Sequence, residues 1–102
     1  MINDRYIEGL RELGTLVETA KTEYRERRLR RREYNHIIGL HSRLEEEKDI
    51  GAIIVGRVLE DLRREAESEY YSQKSDVKEL ITSSVKLISS LYKERVRRNR
   101  NL

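Results

Sequence analysis

The sequence predicts an all-α protein made of two pseudo-repeated helix-hairpin motifs packed as a small helical bundle. Apolar residues recur every three or four positions along almost the whole chain, which is the spacing of one face of a helix. The 102 residues include no proline, so long helices joined by short turns meet no fixed interruption. The two halves can also be laid over each other, which indicates an internal duplication.

The first motif, residues 1–50, is predicted to contain two helices. Asn3 is suited to cap the first helix, and Asp4 places negative charge in its first turn. The apolar stripe of this helix comprises Ile7, Leu10, Leu13, Val17, Ala20 and Tyr24. The stripe of the second helix comprises Tyr34, Ile37, Ile38, His41 and Leu44. A polar junction, residues 45–49, separates this motif from the next.

The second motif, residues 51–102, repeats this plan. The stripe of its first helix comprises Ile54, Val58, Leu62, Ala66 and Tyr70. Ser72 or Ser75 is suited to cap the last helix. The stripe of that helix comprises Val77, Leu80, Ile81, Leu87, Ile88, Leu91 and Tyr92. Residues 51–56 are the one segment in which a short strand is conceivable, although the apolar spacing that continues beyond them favours a helix.

The duplication is carried by a tract that occurs at the same place in each half. At an offset of 46 residues, Ala20–Tyr24 aligns with Ala66–Tyr70, and both tracts read Ala, any residue, Thr or Ser, Glu, Tyr. Any two amphipathic helices match at apolar positions after sliding, so the tract carries more weight than the stripes. A two-helix hairpin cannot bury its apolar face alone. We therefore expect a single helical domain, residues 1–102, in which the two motifs pack against each other.

A pseudo-twofold arrangement of the motifs would bring equivalent residues together across their boundary. The predicted partner-binding residues there are Leu16, Ala20, Tyr24, Leu62, Ala66 and Tyr70. The alanines would allow close helix approach, and the tyrosines would line a groove that binds a peptide or a partner protein. The alternative is that the tyrosines only cap the core. A chain this small has a limited core of its own, so a protein partner, including a second copy in a homodimer, is expected.

An arginine cluster offers an alternative function. It comprises Arg25, Arg27, Arg28, Arg30, Arg31 and Arg32, and residues 21–32 carry a net charge of +5. A basic helix of this density can bind nucleic-acid phosphates without reading sequence. Acidic lipid headgroups, the acidic middle of a neighbouring subunit, or solvent with intrahelical Glu–Arg pairs are the other interpretations.

The residues favour a non-enzymatic protein without cofactor or metal. There is no cysteine, and the two histidines, His36 and His41, lie five positions apart. On a helix that spacing separates them by about 140°, too far for one metal ion. The spacing of Arg31 and His36 resembles the Arg-x4-His motif of HEPN-type ribonucleases, which are also helical. That resemblance implies phosphate polarisation and acid–base chemistry at this pair.

The chain has no apolar run long enough to cross a bilayer and no signal-peptide pattern at its start. We therefore expect an intracellular protein. In length, in the absence of cysteine and proline and in its duplicated helical plan, the chain resembles a small orphan protein of filamentous viruses that infect hyperthermophilic archaea. The excess of arginine over lysine, 16 to 6, fits a thermophilic source. The resemblance implies a viral accessory protein in the host cytoplasm or associated with the virion.

Overall fold

The computed structural model describes residues 4–46 and 51–100, with side chains described up to Arg98. This part of the chain forms the helices α1 (Asp4–Arg25), α2 (Arg31–Glu45), α3 (Ala52–Ala66), α4 (Glu69–Ser72) and α5 (Ser75–Arg100). The described residues contain no strand, so the all-α prediction is confirmed. Asn3 and most of the polar junction lie outside the described residues.

Helices α1 and α3 occupy opposite corners of the bundle. Helices α2 and α5 lie between them, and each packs against both corners and against the other. Among the described residues, α1 and α3 make no contact with each other. The short helix α4 packs against α3 and α5. The neighbouring helices are those that short connections would place side by side, with α5 closing the bundle against α1.

The core lies between these helices and receives apolar side chains from each of them. Leu13, Ile37, Leu62, Tyr71 and Ile81 have no measurable exposure, and they come from α1, α2, α3, α4 and α5 respectively. None of the helices in the described ranges combines the length and apolar character needed to span a bilayer.

Residues 51–56, for which the sequence left both a strand and a helix open, do not form a strand. Gly51 is the N-cap residue of α3, and the helix runs from Ala52 onward. Ile53 and Ile54 therefore lie in the first helical turn rather than in a strand. The hydrogen bond from the Val55 N–H to the Gly51 carbonyl, 3.1 Å long, closes that turn.

The second motif differs from its prediction after Ala66. The stripe that ends at Tyr70 predicts one continuous helix, but α3 ends at Ala66 and Tyr70 lies in α4. The N–H groups of Glu67 and Ser68 bond to carbonyls three residues back, which tightens and ends the last turn. Ala20 of the first motif and Ala66 of the second are both buried, and so are Leu44 of the first motif and Leu91 of the second. Similar burial is expected of any two amphipathic hairpins, so the duplication stays a prediction.

A buried polar cluster ties α4 to the start of α2. The Tyr71 hydroxyl donates a 2.7 Å hydrogen bond to a carboxylate oxygen of Glu33 and accepts a 3.0 Å bond from the backbone N–H of Arg30. Glu33 is 1% exposed and lies in the first turn of α2, where its charge also faces the positive end of the helix dipole. Arg30 is the N-cap residue of that helix and makes no side-chain cap. The Tyr71 hydroxyl therefore satisfies a helix-end N–H and a buried carboxylate together.

Candidate functional site

The six predicted groove residues do not line one groove. Leu16, Ala20 and Tyr24 lie on α1, whereas Leu62 and Ala66 lie on α3 and Tyr70 on α4. Because α1 and α3 make no contact among the described residues, the two alanines do not meet across a boundary. Ala20, Leu62 and Ala66 are core residues, at most 2% exposed, and Leu16 is half-buried against the core.

The two tyrosines of the repeated tract have different surroundings. The ring of Tyr24 stacks on the ring of Tyr34 with centroids 4.2 Å apart. The ring of Tyr70 packs edge-on against Tyr71, and its hydroxyl donates to the carbonyl of Arg27. Both tyrosines thus serve local packing, which agrees with the alternative that they cap the core.

Half of the arginine cluster is engaged within the protein. Arg28 bonds to both Glu23 and Asp76, at 2.7 Å each, and this contact lowers the pKa of the Asp76 carboxyl below its usual range. The guanidinium of Arg30 lies 3.9 Å from the centroid of the Tyr70 ring, a cation–π contact.

Arg32 is paired as well, at 3.1 Å from Asp61. The members without an ion pair among the described residues are Arg25, Arg27 and Arg31, which are all exposed. Arg27 has a φ of 61° and ends α1 in the left-handed conformation, with the N–H groups of Arg27 and Arg28 bonded back to α1. The cluster therefore presents about half the free charge that its sequence indicates.

The Arg31–His36 pair does not form a shared site. Nε2 of His36 lies 3.3 Å from a carboxylate oxygen of Asp61 on α3, whereas Arg31 is exposed without an ion pair in the described part of the chain. The residue that joins His36 at Asp61 is Arg32. The contact connects α2 to α3 and is explained by packing between these helices.

The most exposed large apolar side chains lie at the start of α3. Ile53 is 74% exposed and Ile54 is 59% exposed. They occupy the second and third positions of the helix, where an acidic side chain would interact favourably with the helix dipole. Helices α1, α2, α4 and α5 carry an acidic residue in the first turn, and α3 carries none. Two isoleucine side chains are therefore exposed to solvent in a helical turn where Asp or Glu would stabilise the helix more.

An open cleft of about 200 Å³ lies beside these isoleucines, between α2 and α3. Its lining residues are Asn35, His36, Gly39, Leu40, Arg43, Ile54 and Val58. A Cβ atom added at Gly39 would meet no atom within 4 Å. Gly39 thus leaves open space on α2 opposite Ile54, and a side chain from another molecule can enter there without displacing part of the fold.

A second open cleft, of about 390 Å³, lies on the other side of α3, against α5. Its lining residues are Ala52, Tyr92, Lys93, Val96 and Arg97. We call Ile53 and the two clefts together the α3-start surface. Exposed apolar area of this kind is typical of interaction sites.

A larger open cleft, about 490 Å³, lies between α1 and α2. Its charged lining residues are of both signs: Arg11, Glu18, Lys21 and Glu45. The apolar residues at its base, Leu10, Val17 and Ile38, are buried or half-buried. It therefore lacks the exposed isoleucines that distinguish the α3-start surface.

The α3-start surface was not among the sites predicted from the sequence. One available signal was the placement of two adjacent isoleucines directly after Gly51, without the acidic residue that begins the other helices. The comparisons with protein-family models, curated proteins and solved structures find no match to this chain, so no relative assigns a function to the surface.

Proposed function

We propose that this chain is a non-enzymatic protein-interaction module that binds a segment of a partner protein at the α3-start surface. The observation that carries the proposal is the 74% and 59% exposure of Ile53 and Ile54 in a helical turn that lacks any acidic residue. Covering a fully exposed isoleucine contributes about 1.5–3 kcal/mol, so two of them supply a substantial part of a binding energy.

The proposed site differs from the predicted groove: none of the six predicted residues lines either cleft of the α3-start surface. Its first cleft lies between α2, from predicted motif one, and α3, from predicted motif two. The depth of that cleft depends on Gly39, and its apolar wall on Ile54 and Val58. A helix or peptide entering between two helices is an established recognition mode. The role as a viral accessory protein, in the host cytoplasm or the virion, remains a prediction and is compatible with such a module.

The test uses a displayed library of amphipathic helical peptides selected against the immobilised protein. Gly39→Leu is expected to weaken binding of the selected peptides at least tenfold, by about 1.4 kcal/mol or more, because the new side chain fills the cleft. Fluorescence anisotropy titration of purified variants measures the change.

Gly56→Leu is the matched control. Gly56 is an exposed helical glycine that, like the half-buried Gly39, has no atom within 4 Å of an added Cβ, but it lines neither cleft. Both substitutions raise helix propensity by a similar amount, up to about 1 kcal/mol. Selected peptides that bind wild type, Gly39→Leu and Gly56→Leu equally would rule out the cleft as the binding site.

A second candidate function is sequence-independent nucleic-acid binding through Arg25, Arg27 and Arg31. Their exposure without ion pairs in the described residues favours it. Arg28, Arg30 and Arg32 contribute less, since Glu23, Asp76, Tyr70 and Asp61 already hold them. Few phosphate contacts imply weak binding with a shallow salt dependence.

A further inference from the structure

We infer that the partner segment is an acidic amphipathic helix, an inference that rests on the proposed function. The inference is based on the charge around the two apolar clefts beside Ile53 and Ile54. Basic side chains line both clefts, and no carboxylate of the described residues does. Arg43 lines the cleft between α2 and α3, and Lys93 and Arg97 line the cleft between α3 and α5.

The charge at this surface is largely free. Arg43, Arg57 and Lys93 are exposed and make no ion pair among the described residues. Arg57 follows Ile53 by one helical turn, which places it on the same outward face of α3. Arg97 is 3.6 Å from Glu94, one turn earlier on α5, so its charge is partly compensated. Arg57 also lines a neighbouring cleft that contains the carboxylates of Glu60 and Asp61. The charge argument therefore rests on Arg43 and Lys93, which line the two clefts beside the isoleucines.

A helical partner fits this surface better than an extended one. The described chain contains no strand, so it offers no sheet edge with which an extended peptide could pair. Backbone N–H and C=O groups pressed against apolar side chains without hydrogen bonds are costly. A helix satisfies these groups internally and presents apolar residues three and four positions apart. One such face can cover Ile53 and Ile54 and place a side chain over Gly39.

A second copy of this chain is a poor occupant. In a two-fold contact the same patch lies on both sides of the interface, so the basic residues that line its clefts, Arg43 and Lys93, would face a patch of the same charge sign. Like charges brought together oppose binding. A flat anionic membrane would attract these cations, but it would leave the recessed space at Gly39 unfilled. A helix with carboxylates beside its apolar face fits both features of the surface: the carboxylates pair with the cations, and an apolar side chain fills the space at Gly39.

The experiment begins with the selected helical peptides. In the library, the positions that flank the apolar face are free to be Glu, Gln or Lys. We expect Glu to be enriched there. Synthetic Glu, Gln and Lys versions of one selected peptide are then titrated against the wild-type protein in low-salt buffer. The Glu version is expected to bind about tenfold tighter than the Gln version, as two or three partly exposed charge contacts predict.

Charge reversal in the protein provides the second arm. Arg43→Glu combined with Lys93→Glu is expected to invert the preference, so that the Lys version binds tightest. The matched control combines Arg63→Glu with Lys86→Glu, two exposed basic positions that line neither cleft. Circular dichroism verifies that both variants are folded, and the comparison of the three peptides on wild type does not depend on either variant.

The outcomes separate the inference from the function on which it rests. Peptides that are sensitive to Gly39→Leu but bind equally as Glu, Gln and Lys versions overturn the acidic partner and leave the interaction module standing. Failure to select any peptide sensitive to Gly39→Leu overturns both. Self-association of the wild type through Ile53, seen by sedimentation equilibrium and abolished by Ile53→Asp, overturns the inference in favour of a second copy. Tighter binding to anionic vesicles or duplex oligonucleotides than to the Glu peptide, also abolished by Ile53→Asp, overturns it as well.

Discussion

Replacing Tyr71 by phenylalanine is expected to lower the free energy of unfolding by about 2–3 kcal/mol. The substitution removes one hydroxyl from a fully buried ring and leaves the apolar packing intact. That hydroxyl is the donor to the Glu33 carboxylate and the acceptor for the Arg30 N–H, at 2.7 and 3.0 Å. Its loss leaves two polar groups of the α2 terminus without these partners. Urea or thermal denaturation of the purified variant measures the change.

Tyr70→Phe is the control, because the Tyr70 hydroxyl makes one exposed hydrogen bond to the Arg27 carbonyl. Its loss is expected to cost about 0.5–1 kcal/mol. Replacing both buried partners, Tyr71→Phe with Glu33→Leu, is expected to recover part of the stability, since no buried carboxylate then remains. A loss below about 0.5 kcal/mol for Tyr71→Phe would contradict the structural role given to this cluster.

The cluster of Tyr71, Glu33 and the Arg30 N–H also makes the free energy of unfolding depend on pH in the alkaline range. Burial raises the pKa of the Tyr71 hydroxyl above its usual value of 10, and the neighbouring Glu33 carboxylate raises it further. The folded state therefore holds the Tyr71 proton at pH values where the unfolded chain releases it. The contribution is complete below about pH 10 and is lost above it, by at most about 1.4 kcal/mol per pH unit. Tyr71→Phe is expected to lack this part of the decline.

Replacing Ile53 and Ile54 together by aspartate is expected to abolish partner binding without loss of stability. Covering the two isoleucines contributes about 3 kcal/mol or more, so affinity for a selected peptide should fall by about 100-fold or more. The aspartates occupy the first turn of α3, where they favour the helix dipole by up to about 1 kcal/mol each. Thermal denaturation and anisotropy titration on the same preparations measure the two effects.

Ile7→Asp is the control for this pair. Ile7 is the other exposed large apolar residue of the described chain, 42% exposed on α1, and lines neither cleft beside α3. It is expected to leave peptide binding unchanged. A marked loss of stability in the Ile53→Asp, Ile54→Asp variant would instead assign these isoleucines to the fold.

The helical class was predictable from the spacing of apolar residues because each long helix buries one stripe. Leu13 and Val17 on α1, and Ile37 and Leu44 on α2, are buried at the positions that the spacing predicts, whereas Leu40 is buried although it was not in the predicted stripe and Ile38 and His41 are only half-buried. The break after Ala66 was not predictable by the same reasoning. The segment contains neither glycine nor proline, and the stripe continues to Tyr70.

Long-range contacts determine which side chains are buried after the break at Ala66. The structure buries Tyr71 instead of Tyr70, because Tyr71 reaches Glu33, 38 residues earlier in the chain. A local stripe carries no information about such a partner. The arginine cluster shows the same limit, since the carboxylates that hold Arg28 and Arg32 include Asp76 and Asp61, on other helices.

The predicted groove depended on equivalent helices meeting, and the packing order prevents this. Helices α1 and α3 lie at opposite corners, so residues that align in sequence do not face each other. The sequence offered one signal for the α3-start surface, the adjacent Ile53 and Ile54 without an acidic residue in the first turn of α3, but only the structure shows that they are exposed. Residue type alone does not distinguish them from core isoleucines such as Ile37 and Ile81, which have no measurable exposure.

An isoleucine-methyl NMR titration of the wild-type protein with a selected acidic helix locates the binding surface on the folded chain. We expect the methyl resonances of Ile53 and Ile54 to shift most and to saturate together with the anisotropy signal. The buried Ile81 and Ile88 methyls should change little. Largest shifts at Ile7 on α1, with Ile53 and Ile54 unchanged at saturation, would contradict the claim that partners bind at the start of α3.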